Sequence, residues 1–233
     1  MKENIRKNSI IAIFSISIFF IILFGSMNIL IFNKQFYYSE YEKNGVYQRL
    51  SDNKSQAALE AQQITANIHK YFRGQEDLKY FTDDEKSHMR DVKHLVNLMQ
   101  WIYYACAIIV ILLFAFMYNQ YKNHAYEFIN IISKSLIYAG IASLAFLLLT
   151  LILGLSNFGS LFTSFHQIFF PQGNWMFDSS SLLITLFPER FFIDIAVRIF
   201  LYAFFQSLIF LGIGYWMHRQ LKKLKTHGKR FMN

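Results

Sequence analysis

The chain has 233 residues, of which 54% are hydrophobic, 18% aromatic and only 16% charged. That charged fraction is low for a soluble domain and the mean hydropathy of +0.25 agrees, which excludes an ordinary water-soluble enzyme. The net charge of +8 is distributed around long apolar runs, which argues against a nucleic-acid surface.

The apolar runs cover 9–32, 96–118, 136–157 and 191–217. About 20 apolar residues with few charges read as a transmembrane helix, because lipid leaves the backbone no hydrogen-bond partner but its own. The expected fold is therefore all-α, a bundle of four transmembrane helices carrying a small extracytoplasmic cap. The division that follows is 1–33 first span, 34–95 outer loop domain, 96–118 second span and 119–135 cytoplasmic connection. It continues with 136–157 third span, 158–190 aromatic outer loop, 191–217 fourth span and 218–233 basic tail. Lys2, Arg6 and Lys7 precede the first span, Lys122 and Lys134 flank the short connection, and Arg219, Lys222, Lys223, Lys225, Lys229 and Arg230 follow the last. The long first connection balances acids against bases. This asymmetry places both termini in the cytoplasm and both larger loops outside, and the basic segments face anionic lipid.

In chain order, the first span opens like a signal peptide, but its apolar core is too long and no small-residue cleavage site follows. It reads as an uncleaved anchor. Ser15, Ser17, Gly25, Ser26 and Asn28 within it let helices approach closely or hydrogen-bond across a bundle. The aromatic and charged stretch at 36–43 reads as strand or interfacial coil. Ala57, Ala61, Ile64, Ile68, Tyr71 and Phe72 recur at helical spacing through 52–72, with Gly74 as a stop and His69 in a packing or surface role.

Thr82 followed by Glu85 forms a capping box, and a helix starting there continues into the second span. On that helix Asp84 and Asp91 share a face with His88, where a carboxylate on one ring nitrogen would free the other for proton transfer. The alternative is a solvated, charged helix start. His88 also lies nearly 20 Å along a straight helix from Trp101, the expected interfacial anchor, at about 1.5 Å per residue. Meeting another headgroup-level residue thus requires the helix to tilt or break, or the outer domain to fold over. The single cysteine, Cys106, falls inside the second span, which excludes an intrachain disulfide and a thiolate cluster and leaves a buried structural thiol.

The stretch 165–192, FHQIFFPQGNWMFDSSSLLITLFPERFF, lies between two apolar runs, nearly uncharged and crowded with aromatics. So apolar a segment buries itself against protein or lipid, which places His166 at the bilayer interface either for function or as an anchor. In the fourth span, Asp194 and Arg198 stand four apart and are expected to pair. His124, His218 and His227 fall in cytoplasmic segments as incidental residues. The spans carry no histidine until His218, which disfavours haem held between facing helices.

HMRDVK at 88–93 after an acidic helix start, and the series FHQIFF, GNWMFD and LITLFPERFF within 165–192, resemble the lipoprotein intramolecular transacylases. These are four-helix membrane proteins of Gram-positive bacteria, and the similarity covers essentially the full length. The run 179–181 departs from it, being plainer than the family's usual Pro- and Asp-containing segment.

The resemblance implies an acyltransferase of the bacterial cell membrane with its active site facing outside. Its substrate is a lipoprotein whose N-terminal cysteine carries a thioether-linked diacylglyceryl group. The sn-2 acyl chain moves onto the cysteine's own amine and gives the lyso-form lipoprotein. The matching catalytic positions are His88 and His166, and the cap is expected to contain β-structure. No cofactor is implied; the partners are the diacylated lipoprotein and membrane lipids, with no nucleic acid.

The residues suit this chemistry. The substrate supplies the nucleophile, an α-amine with a pKa near 7.7–8 that must lose a proton to attack. One histidine serves as base and the other as acid or oxyanion donor: His88, backed by carboxylates, in the first role and His166 in the second, or the reverse. Further oxyanion donors are the Trp175 indole and the backbone amides of Gly173, Asn174 and Trp175. Asp178 would orient His166 or a loop amide, and Asp91 and Glu85 would support His88. Phe169, Phe170, Trp175 and Phe177 would line an apolar groove. A serine acyl-enzyme on Ser87 or Ser164 is disfavoured, since adjacent residues do not face each other on a helix. The rival function is a non-catalytic accessory or chaperone protein of the envelope.

Overall fold

The computed structural model describes residues 2–230, with side chains from Glu3 to Leu224. The side chains of Lys2, Lys225, His227, Lys229 and Arg230, invoked above, lie outside the described residues. The elements are α1 (Lys2–Ile31), α2 (Lys34–Lys43), α3 (Val46–Leu50), α4 (Lys54–Phe72), α5 (Asp83–Tyr121), α6 (Ala125–Ser156), α7 (Phe158–Phe169), α8 (Leu182–Leu186) and α9 (Glu189–Arg230). Among the described residues, four helices are long and apolar enough to cross a membrane: Glu3–Ile31, Asp83–Tyr121, Ala125–Ser156 and Glu189–Leu224.

The chain divides into two compact units. One comprises residues up to Ser26, Trp101–Leu151 and those from Phe200 onward. Its core takes Ile10, Phe14, Ile18 and Ile22 from one stripe of α1, with Met117, Ile131, Ala139, Leu147 and Ala203. Small residues set the helix spacing here. A Cβ on Gly214 of α9 would stand 2.9 Å from Leu136 Cβ and from the Ser133 carbonyl oxygen, and one on Gly140 would stand 2.8 Å from Leu211 Cβ. Only a hydrogen fits at such crossings. Ser15 Oγ donates to the Ile11 carbonyl at 2.7 Å and approaches the Ser135 carbonyl at 3.1 Å. Cys106 is buried and unpaired.

The other unit comprises Met27–Gln100 and Ile152–Ile199. Among the described residues it contains no strand, so the β-structure implied by the resemblance is absent from them. The stretch 36–43 is neither strand nor coil but lies in α2, capped by Asn33, whose side chain accepts from Phe36 N–H at 3.1 Å. The residues buried on α2 are Phe36, Tyr37, Glu40 and Tyr41. That spacing of one, three and one is helical and cannot lie on one face of a strand. The charges interleaved among the aromatics obscure it.

α4 buries Ala57, Ala61, Ile64 and Ile68 in one core with Tyr41, Val46, Leu186 and Phe191. Beyond it Gly74 takes φ +71, a left-handed turn that glycine adopts without steric cost. His69 packs within this core, 1% exposed, its ring centroid 5.1 Å from Tyr37 and 5.8 Å from Phe32. Asp194 does not pair with Arg198. Its carboxylate meets Lys43 Nζ at 2.6 Å and Arg190 Nε at 3.5 Å, while the Arg198 guanidinium lies over the Phe36 ring at 5.2 Å. The α2 lysine reaches the carboxylate, and the aromatic face takes the guanidinium.

Candidate active site

Three segments of the second unit build the site: the first turns of α5, helix α7, and the loop from Phe170 to Ser181. The capping box starts α5 as the sequence implies. Thr82 N–H donates to Glu85 Oε2 at 2.9 Å, and Glu85 N–H donates to Thr82 Oγ1 at 3.3 Å. The helix then runs unbroken to Tyr121, so no break in it brings His88 to its partner. The opposing segment does this instead. Asn157 ends α6 and caps α7 through Ser160 N–H at 2.9 Å, and the twelve residues of α7 carry His166 to His88.

The two imidazoles lie 6.2 Å apart between ring centroids with 22° between their planes. They do not hydrogen-bond to each other, so each keeps an edge for a third group. Both are buried, His88 at 9% and His166 at 7% exposure. Phe170 touches both rings, at 4.9 Å from His88 and 5.5 Å from His166, and Phe177 lies 5.7 Å from His88. Phe162 and Trp175 pack on His166 at 4.1 and 4.8 Å.

His166 Nδ1 lies 2.7 Å from the carbonyl oxygen of Phe162, one turn back on α7. A carbonyl only accepts, so Nδ1 carries the proton and Nε2 holds the lone pair in the neutral ring. Burial lowers the proton affinity of His166 below the ordinary histidine range, against the opposing pull of that carbonyl. The charged first turns of α5, through Lys93, precede the apolar run that begins at 96. There, burial and then the His166 ring lower His88 to about 4, despite Asp91 and Asn174, which favour its charged form. Both rings are therefore neutral near pH 7.

The carboxylates expected beside His88 serve the loop more directly. Glu85, 2% exposed, accepts through Oε1 from Ser181 Oγ at 2.6 Å and Leu183 N–H at 3.0 Å. Burial raises its proton affinity, but these bonds and those from Thr82 outweigh it and hold the carboxyl below its ordinary value. One side chain thus satisfies the starts of α5 and α8 together. Asp91 accepts from Gln172 Nε2 at 2.6 Å and Asn174 Nδ2 at 2.7 Å. Asp84 is exposed.

Gly173 takes φ +79, and its N–H donates to the Phe170 carbonyl at 3.0 Å, so that amide is committed to the turn. The backbone N–H groups of Asn174 and Trp175 and the Trp175 indole N–H make no hydrogen bond among the described residues. Asp178 is exposed, and its carbonyl accepts from Ser181 N–H at 2.9 Å. Ser87 Oγ accepts from Asn174 Nδ2 at 3.3 Å, whereas Ser164 is exposed. Among the described residues no three His, Cys, Asp or Glu side chains converge as a metal site.

Phe162, Gln172, Ser181 and Leu183 escaped the sequence reading. Phe162 was detectable, standing four before a helical histidine. The contacts of the other three join distant segments, and nothing local encodes them.

The site and fold define a class: multi-pass, all-helical membrane proteins in which buried histidines from two separate connections converge. Residues 12–192 match the family described as lipoprotein intramolecular transacylase Lit, and the chain belongs to that family. The lipoprotein intramolecular transacylase Lit from Bacillus cereus has the same fold, with a TM-score of 0.77 and 22% identity over 96% of this chain and 99% of that one. A variant of the Bacillus protein with one histidine replaced by arginine matches with a TM-score of 0.72 and 20% identity, covering 96% of each chain. An uncharacterized protein from Aquifex aeolicus is 29% identical over 134 residues, 58% of this chain; the match spans 56% of that relative.

Proposed function

We propose that this protein transfers the sn-2 acyl chain of a diacylglyceryl-cysteine lipoprotein to the amine of the same cysteine. Family membership supports the reaction class, and the convergence of His88 and His166 is the observation that carries the chemistry. The fold would sit in the bacterial cell membrane with both termini cytoplasmic and the connections at 34–95 and 158–190 outside, as the placement of basic residues requires.

An α-amine with a pKa near 7.7–8 is partly neutral at pH 7. That amine carries two N–H bonds and a lone pair, and two near-parallel neutral rings can receive both hydrogens. The lone pair then points at the ester carbonyl. His166 Nε2 is the proton carrier. Its Nδ1–H is committed to the Phe162 carbonyl, which also stabilises the imidazolium formed. His88, whose proton affinity burial and the His166 ring lower to about 4, stays neutral and orients the amine.

As the C–N bond forms, charge builds on the carbonyl oxygen, for which the Trp175 indole and the Asn174 and Trp175 amides are the donors at hand. His166 takes the nitrogen's proton and delivers it to the glycerol oxygen as the C–O bond breaks. Starting from the ammonium form, one proton is released per turnover. Amine and ester belong to one molecule, so holding them together lowers the barrier further. Exposed Phe165, Ile168, Phe169 and Met176 offer an apolar approach for the acyl chains.

The test is expression in a host making only diacylated lipoproteins, with N-terminal lipopeptides read by mass spectrometry. N-acylated, singly esterified peptides are expected. A free amine with both glycerol chains intact refutes the reaction, and acylation that persists without both histidines refutes the roles.

A further inference from the structure

Two buried polar atoms in the site lack a hydrogen-bond partner, His88 Nδ1 and Asn174 Oδ1. They belong to residues that act on each other, the amide favouring the protonated imidazole as an acceptor does. We infer that Asn174 is a positioning residue that sets the tautomer of His88, with Asp91 and Ser87 fixing the amide that does so.

Hydrogen-bond polarity fixes the orientation of the Asn174 amide. A carboxylate oxygen accepts, and the side-chain nitrogen of Asn174 stands 2.7 Å from Oδ2 of Asp91. Exchanging the amide's oxygen and nitrogen would set two acceptors against each other at that distance. Ser87 Oγ takes the second N–H at 3.3 Å, so both donors of the amide face α5. Gln172 Nε2 meets the same Asp91 oxygen at 2.6 Å and anchors the carboxylate from the loop side. The oxygen of Asn174, itself a buried atom, is then left as a pure acceptor without a donor.

Its natural partner is a protonated His88 Nδ1, and this leaves the lone pair on Nε2. Both histidines then present the same kind of nitrogen, one fixed by the Phe162 carbonyl and the other by the Asn174 amide. The ionisable groups acting on His88 are Asp91 on its own helix and His166 on α7. The packed aromatics Phe170 and Phe177 bring no charge. This assignment deepens the proposed transacylase reading and rests on it for its catalytic meaning, though not for its structure.

The test uses the full chain in detergent, labelled with 15N-histidine, the His88 ring signals being assigned by their loss in His88→Gln. A protonated Nδ1 and an unprotonated Nε2 are expected in the native chain. Asn174→Leu keeps the branched outline of the side chain and removes the acceptor, and should shift the ring toward the other tautomer. It should also lower kcat on a diacylated lipopeptide about 10²-fold with KM little changed, the lower end of what a positioned acid or base contributes. The double exchange Asp91→Asn with Asn174→Asp restores a donor facing an acceptor, so it should return the Nδ1 proton and part of kcat. A native His88 protonated on Nε2, or an Asn174→Leu ring and turnover like the native ones, overturns the inference. If Asn174→Leu does not fold, the native tautomer alone decides. The ring measurement needs no turnover, so a wrong reaction and a wrong positioning role give different results.

Discussion

His69 and the His88–His166 pair are three buried imidazoles in one unit, and the environments they occupy are opposites. His69 is 1% exposed beside Tyr37 and Phe32, and neither ring nitrogen makes a hydrogen bond of ordinary geometry. Burial, then Arg73 and Lys34, lower its proton affinity to about 4, the value His88 also reaches. Burial and a depressed proton affinity therefore do not distinguish a working histidine from a packed one. The difference lies in what converges. At His69 the ring faces are aromatic. At the pair, a carbonyl fixes one ring nitrogen, an anchored amide faces another, and unbonded N–H groups stand in the adjoining loop.

The sharpest way to break this comparison is to remove each ring. His88→Ala and His166→Ala should each lower transacylation about 10²–10⁴-fold in the lipopeptide assay, while His69→Phe should leave turnover per folded molecule nearly native. Equal damage at His69 would erase the distinction. Next in size is Glu85→Ala, which strips the bonds joining the starts of α5 and α8 and leaves the buried Leu183 N–H unpaired. The expected cost is about 1–3 kcal/mol in thermal melting, with Glu85→Gln intermediate because it can still accept. A native melting temperature for Glu85→Ala would show that the loop is held by its aromatics alone.

Gly214→Val tests the other unit. Its added carbons would overlap Leu136 and the Ser133 carbonyl, for an expected loss of about 1–3 kcal/mol with turnover per folded molecule unchanged. The smallest effect concerns acid stability. The folded proton affinity of His69 lies at about 4, below the ordinary 6.5, so the unfolded chain binds the proton more readily between these values. Stability should fall as pH drops from about 6.5 toward 4. His69→Gln should reduce that loss, read as a smaller difference in melting temperature between pH 7.5 and pH 5.

Local sequence alone reveals four runs long and apolar enough to cross a membrane, where α5 begins, how α4 is striped, and which histidines to suspect. Each of those is written in local terms: apolar length, a capping box, side chains three and four apart, two motifs. Tertiary packing supplied the rest. It turned 36–43 into a helix because a distant core buries Phe36, Tyr37 and Tyr41 on one face. It gave Asp194 to Lys43 rather than to Arg198 four residues on. It also spent Glu85 and Asp91 on the loop that carries Asn174 and Trp175 rather than on His88. A carboxylate binds whichever donors the fold delivers to it, and donors arriving from remote segments leave no trace in the spacing of the residues that receive them.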